Sequence, residues 1–157
     1  MSIIQSEHFT KAVFMLMEES FENVQGIYLD KNTSMFETLA GISAEEASIP
    51  VGGRCATLAA QVKHVAFYLE VIERFMRDPK SPPADWGEVW RTVSRVTPDE
   101  WQSMQAELCT NYQNMRRHIE SVQEWPNEDA LGIAMAIIAH SAYHLGEIRQ
   151  ALCILKK

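Results

Sequence analysis

The chain has 157 residues, of which 46% are apolar, and its 14 basic and 21 acidic residues give a formal net charge of −7. These values predict one acidic domain spanning 1–157, large enough to bury a core without disulfides or a structural metal. A metal site in such a chain would therefore indicate function rather than folding. The negative charge and the lack of a basic stripe exclude a surface that tracks nucleic-acid phosphates.

Targeting and redox signals are also few. No uninterrupted apolar run approaches the roughly 20 residues of a membrane span, and residues 1–7 lack the basic and apolar pattern of a targeting signal. The cysteines Cys55, Cys109 and Cys153 are far apart and odd in number, which fits reduced thiols better than a disulfide framework. We expect a cytoplasmic protein that binds neither nucleic acid nor membranes.

The first half of the chain predicts two helices and a long connection. Apolar residues recur at helical spacing from Phe9 to Ile27, which predicts a first helix. Residues 32–56 are a connection with one short helical turn, because Ser43 and Glu46 have the spacing of a capping box. Residues 57–77 carry apolar groups three and four apart, which predicts a second helix capped by Thr57.

The second half predicts another long connection and two more helices. Residues 78–97 contain three prolines and form the connection. Residues 99–121 carry apolar groups three and four apart, which predicts a third helix, and Thr97, Pro98 and Glu100 make a complete start signal for it. Residues 127–155 predict a last helix capped by Asn127, with apolar residues nearly all round, which is typical of the most buried helix.

Four long amphipathic helices predict an all-α four-helix bundle. The long connections follow helices 1 and 2, and the connection at 122–127 is short. The distance of each histidine from the end of its helix can be compared at a rise of 1.5 Å per residue. If the second and fourth helices are antiparallel, His64 and the histidines of the last helix differ in height along the bundle by about 6 Å, against about 10 Å if they are parallel. These lengths favour an up-down-down-up order.

Two imidazoles interrupt the apolar stripe of the last helix, at His140 and His144. Residues four apart lie on one face of a helix, with Cβ atoms about 5 to 6 Å apart, so both side chains can reach one metal ion. The spacing alone is weak evidence for a metal, because it is more typical of core histidines that are hydrogen-bonded to neighbours. A third ligand would come from His8, His64 or His118, and His64 is the best candidate because its neighbours are apolar.

These residues resemble the DinB-like family. The resemblance is carried by Thr57 to His64 at the start of the second helix and by Ile138 to Gln150 in the last helix. It implies a four-helix bundle in which His64, His140 and His144 bind a divalent metal. It also implies a small-molecule substrate, with low-molecular-weight thiols among the candidates, and a homodimer. Glu147 stands where the family often has Gln, which leaves its role open.

The chemistry of three imidazoles suits several metals and reactions. Nitrogen ligands favour zinc or nickel, with copper, iron or manganese as alternatives. Three protein ligands leave positions at which water can be activated for hydrolysis or a thiolate held for transfer. We therefore expect a metal-dependent thiol S-transferase or hydrolase. The alternative is a noncatalytic metal-binding or stress-related dimeric helical module.

Further residues near the histidines have two interpretations each. Glu147 can orient a histidine or act as a base, or else pair with Lys63 or Arg149 at the surface. Tyr143 and Tyr68 can donate to a bound anion, or else belong to the core. Cys55 precedes the second helix, whose dipole favours a thiolate; the alternative is a small packed side chain. Trp86 and Trp90 can cap a pocket, form a dimer contact or simply pack.

Overall fold

A computed structural model describes residues 5–155, and these form an all-helical structure without β-strands. The ends of the predicted domain, residues 1–4 and 156–157, lie outside the described part. The elements, in chain order, are α1 (Ser6–Phe21), α2 (Met35–Leu39), α3 (Ala44–Ala47), a 3-10 turn (Val51–Gly53), α4 (Leu58–Arg77), α5 (Glu88–Thr92), α6 (Pro98–Ser121) and α7 (Glu128–Leu155). The predicted all-α class is confirmed.

The helix starts follow the predicted capping signals. Thr57 accepts a hydrogen bond from the N–H of Ala60 and caps α4. A complete capping box of Thr97 and Glu100 opens α6, with Pro98 in the first turn. The side chain of Asn127 accepts from the N–H of Ala130 at 2.9 Å at the start of α7. These interactions satisfy backbone donors that the first turn of a helix leaves free.

Both predicted connections contain more helix than expected. The predicted turn after Ser43 is α3, and its capping box is present. The structure adds α2, which opens with a second capping box formed by Ser34 and Glu37. That pair has the same sequence spacing as Ser43 and Glu46, so the sequence contains a signal for α2 as well. The connection at 78–97 contains α5.

The first helix is shorter than its apolar pattern. Helix α1 ends at Phe21, six residues before the apolar pattern ends at Ile27. The carboxylate of Glu19 accepts the N–H groups of Ile27, Tyr28 and Leu29 at 2.7 to 3.0 Å. These bonds turn the chain back along the end of α1, and Gly26 adopts a positive φ of 82° that glycine tolerates. The apolar pattern left the end of the first helix open, and α1 ends before Ile27, whose N–H donates to Glu19 and not to a helical carbonyl.

The long helices pack on one another around a shared core. Helix α4 contacts both α6 and α7, and α1 contacts α6 and α7. The core includes the fully buried side chains of Phe21, Leu58, Leu69, Leu108, Tyr112, Met115, Ile137 and Leu145. The aromatic rings of Phe21 and Tyr112 stack with centroids 4.6 Å apart and join α1 to α6.

The last helix is not the most buried one, contrary to its apolar composition. It packs on α1, α4 and the turn at Val51–Gly53, and its opposite face lies at the surface. There Met135 and Tyr143 are 61% and 62% exposed. Apolar composition did not reveal which face of α7 is covered.

Helix α7 also meets the criterion of length and composition for a membrane span. Its most apolar 18-residue window has a mean hydropathy of 1.2 and is 33% buried. The expectation of no such segment rested on uninterrupted apolar runs and did not consider this window. The cytoplasmic location stays a prediction.

The buried carboxylate of Glu19 predicts a pH-dependent stability. Burial raises the pKa of Glu19, but the N–H donors of the 25–29 segment together lower it by more than burial raises it. The pKa of Glu19 is therefore below its usual value of 4.5. Because the folded pKa is below the unfolded one, this stabilisation is present above pH 4.5 and is lost as the pH falls through the folded pKa. Glu19→Gln should reduce the free energy of unfolding at neutral pH by about 1–3 kcal/mol.

Urea unfolding at neutral and acidic pH measures this effect. The Glu19→Gln variant should lose less stability than the wild type on acidification. Glu120→Gln, which alters an exposed carboxylate on α6, is the matched control and should behave as the wild type. Identical pH profiles of the wild type and Glu19→Gln would contradict this role for Glu19.

Candidate metal centre

Three histidines from two helices meet in the interior. His64 comes from α4, and His140 and His144 come from consecutive turns of α7. One ligand atom from each lies within 4.8 Å of those of the other two, which is close enough to hold a metal ion. These are the three residues that the sequence favoured. His8 is exposed on α1, and His118 lies on α6 outside this cluster.

The distance between His64 and His140 suits a shared ion. Their Nε2 atoms are 3.2 Å apart. Two nitrogens at this separation, each about 2.0 to 2.1 Å from one ion, subtend an angle of about 100°, which is near the tetrahedral value of zinc sites. The same separation fits an N–H···N hydrogen bond between the two neutral rings. The same arrangement of His64 and His140 therefore suits both a bound metal ion and a hydrogen bond between the two rings.

Burial keeps the three rings in the neutral form that binds metals. Burial, with a smaller contribution from the nearby His144 and against the opposing effect of Glu147, lowers the pKa of His64 to about 4. Burial also lowers the pKa of His140 to about 3, with smaller effects in the same direction from His144 and His64. The pKa of His144 is lowered by burial, against the opposing effect of Glu147. Each imidazole therefore has a lone pair available at neutral pH.

Two acceptors hold the ring of His144. The Oε1 atom of Gln61 lies 2.7 Å from its Nδ1, and the Oε2 atom of Glu147 lies 2.9 Å from the same nitrogen. Because both neighbours are oxygen acceptors, Nδ1 carries the proton and Nε2 presents its lone pair. Such outer hydrogen bonds orient metal-binding histidines in known sites.

The contacts of Glu147 decide between its two interpretations. Its Oε2 accepts from His144, and its Oε1 accepts from the hydroxyl of Tyr143 at 2.9 Å. The predicted surface partners of Glu147 are engaged elsewhere, since Lys63 pairs with Glu107 at 2.7 Å and Arg149 lies 3.5 Å from Thr38. The surface ion pair was therefore the wrong interpretation.

Aromatic rings surround the histidines. Tyr68 stacks on His140 with centroids 3.6 Å apart, and Trp90 lies over His64 at 4.5 Å. Trp86 packs on Phe67 and Tyr68. The 78–97 connection thus reaches the cluster through Trp90, which agrees with the capping role considered for this residue, whereas the ring contacts of Trp86 are with Phe67 and Tyr68. These rings limit the access of water to the histidines.

Two predicted neighbours differ from expectation. Tyr143 is an exposed residue whose hydroxyl donates to the carboxylate of Glu147, so it is not a core aromatic, and its donation to a bound anion stays a prediction. Cys55 is exposed rather than packed, and it lies beside a surface cavity. Gln61 is a further site residue that was not predicted from the sequence. Its spacing of three residues before His64 on α4 places both on one helix face, which was the available signal.

Comparisons of the chain with protein-family models, with curated proteins and with solved structures found no match. The fold and the site therefore define only a class, that of all-helical proteins with a three-histidine cluster able to hold a metal ion. The resemblance to the DinB-like family stays a proposal.

The acceptors on His144 predict its tautomer. In chelator-treated protein, long-range proton–nitrogen NMR spectra should show the proton on Nδ1 of His144. Gln61→Leu should retain this tautomer through Glu147, whereas the double variant Gln61→Leu/Glu147→Leu should lose the preference. The ring of His118 serves as the internal control. A wild-type His144 with its proton on Nε2 would contradict the arrangement.

Proposed function

We propose that this chain binds a divalent metal through His64, His140 and His144 and acts as a metal-dependent enzyme. The observation that carries the proposal is the convergence of three neutral imidazoles, two buried and that of His140 partly buried, whose ligand atoms lie within 4.8 Å of one another. Zinc and nickel fit these nitrogen ligands best, with copper, iron and manganese as alternatives. A three-ligand site has a fourth tetrahedral position for water or substrate.

We also propose a four-helix bundle of up-down-down-up order and membership of the DinB-like family. The contact register supports the order of the helices. Gln61 meets His144 and His64 meets His140, so the numbering of α4 and α7 runs in opposite directions. By contrast, Lys63 meets Glu107 and Asn111 donates to the carbonyl of Ala66, so α4 and α6 run in the same direction.

The residues around the histidines have separate tasks in this proposal. Gln61 and Glu147 fix the orientation of His144, while Tyr143 holds the second oxygen of Glu147. Trp90 shields His64 from solvent. When bound, a divalent ion supplies a Lewis acid that can activate water or stabilise a thiolate. The reaction class is thiol-dependent S-transfer or hydrolysis.

Metal titration of chelator-treated protein tests the site. The wild type should bind one equivalent of zinc or nickel per chain. Because loss of an outer hydrogen bond alone weakens known sites about 10–100-fold, His140→Ala should weaken binding by at least that factor. Calorimetry and elemental analysis of the purified protein measure both quantities.

His118→Ala is the matched control, because His118 is a partly buried histidine outside the cluster. It should leave metal affinity unchanged. His144→Gln provides a second site variant, and circular dichroism should show that every variant remains helical. A wild type without stoichiometric metal, or equal affinities for wild type and His140→Ala, would refute the metal site.

An open coordination position separates an enzyme from a noncatalytic module. Cobalt-loaded protein should develop a thiolate-to-metal absorption band when 2-mercaptoethanol is added, because soft thiolates coordinate such ions readily. His140→Ala should show no such band. Loaded protein that shows neither the band nor turnover of ester or thiol-conjugate substrates would favour the alternative, a noncatalytic metal-binding or stress-related dimeric module. Sedimentation measures the predicted homodimer.

A further inference from the structure

A surface cavity of about 460 Å³ lies between the segment that precedes α4 and the carboxyl-terminal part of α7. Cavities of about 300 to 1,000 Å³ accommodate small-molecule ligands. Its wall includes the apolar side chains of Val51, Leu58, Ala151 and Ile154. Gly146 also lines the cavity, and a Cβ atom added there would have nothing within 4 Å. The cavity therefore offers room for an apolar body.

The cavity carries charge of one sign. Among the lining residues in the described range 5–155, Glu147 is the one charged residue, and none is a lysine, arginine or histidine. The Glu147 side chain is 36% exposed, so its carboxylate is accessible to a ligand. Two nearby cations are directed to other groups, with Lys63 paired to Glu107 and Arg149 directed to Thr38. An anionic ligand would find no counter-charge among these described lining residues, whereas a cationic ligand would find Glu147.

The cavity adjoins the candidate metal centre through shared residues. Gln61, Tyr143 and Glu147 line the cavity and also belong to the hydrogen-bond network that holds His144. Each carboxylate oxygen of Glu147 accepts one hydrogen bond within that network. An ionised carboxylate has about four acceptor positions. A ligand can therefore bond to Glu147 without displacing His144 or Tyr143.

We propose that this cavity binds a small molecule with an apolar body and a protonated amine, which pairs with Glu147. Its identification as the substrate class rests on the proposed function, while the binding itself needs no metal. A carboxylate-bearing thiol is disfavoured by the same wall. Among the two proposed reactions, this selectivity favours hydrolysis of an amine-bearing substrate over transfer of an acidic thiol.

Binding of matched six-carbon probes to chelator-treated protein tests the proposal. NMR titration should show n-hexylamine binding at least tenfold more tightly than hexanoate, because the amine gains an ion pair and the carboxylate meets repulsion. Glu147→Gln should remove most of this preference. It exchanges the charge for an amide of the same shape.

A pair of glycine variants tests the location. Gly146→Leu should fill the cavity and weaken n-hexylamine binding at least tenfold. Gly132→Leu is the matched control, because Gly132 lies on the same helix, has equally open space at its Cβ position and does not line this cavity. Leucine favours helix more than glycine does, so both variants should fold. Circular dichroism checks that they do.

Equal affinities for n-hexylamine and hexanoate, or equal effects of Gly146→Leu and Gly132→Leu, would overturn the proposal. Metal titration of the same proteins separates it from the proposed function. If the protein binds n-hexylamine but no metal, the proposed metal-dependent function is refuted and the proposed amine-binding cavity is retained. Metal binding without amine selectivity would overturn the amine site and leave the metal centre.

Discussion

The hydrogen bond between Gln61 of α4 and His144 of α7 crosses the contact between these two helices at 2.7 Å. Polar groups buried in such a contact destabilise the fold unless they are paired. A shift of either helix by one turn, about 5.4 Å, would break this bond and separate His64 from His140. Pairing of these groups therefore favours one register of α4 on α7. The same register brings the three imidazoles together, so the packing of the core and the geometry of the site have one cause.

Local sequence signals predicted where the helices begin. Contacts between residues far apart in the chain determine where α1 ends and which face of α7 is covered, and local signals did not predict these features. The cap at Thr57 and the box of Thr97 and Glu100 involve residues three apart, so the sequence contains all the partners. The end of α1 depends on Glu19 reaching N–H groups up to ten residues away, which an apolar pattern does not record. The exposed face of α7 has a similar explanation, because composition measures how apolar a helix is but not which neighbours cover it.

The same distinction applies to the candidate site. The pair His140 and His144 was recognisable because both lie on one helix at fixed spacing, and His64 was distinguished by its apolar neighbours. The role of Gln61 depends on the register between α4 and α7, which spacing along one helix does not define. The position of Trp90 over His64 depends on the path of the 78–97 connection. Spacing within one helix therefore indicates the candidate ligands, whereas the residues that orient and shield them depend on how separate parts of the chain pack together.

The buried histidines are poorly explained as packing residues. The Nδ1 atoms of His64 and His140 are buried and have no hydrogen-bond partner among the described residues. A buried polar atom without a partner costs about 1–3 kcal/mol, whereas an aliphatic side chain in the same apolar surroundings carries no such cost. A chain of this length also needs no metal to fold.

Helices α4 and α7 could therefore pack more favourably around leucine or isoleucine than around two neutral imidazoles. The low pKa values of these rings have the same origin, since burial that opposes protonation leaves both lone pairs unprotonated at neutral pH. An environment that is unfavourable for stability is thus favourable for binding a cation. This balance is the physical argument that the cluster serves chemistry rather than folding.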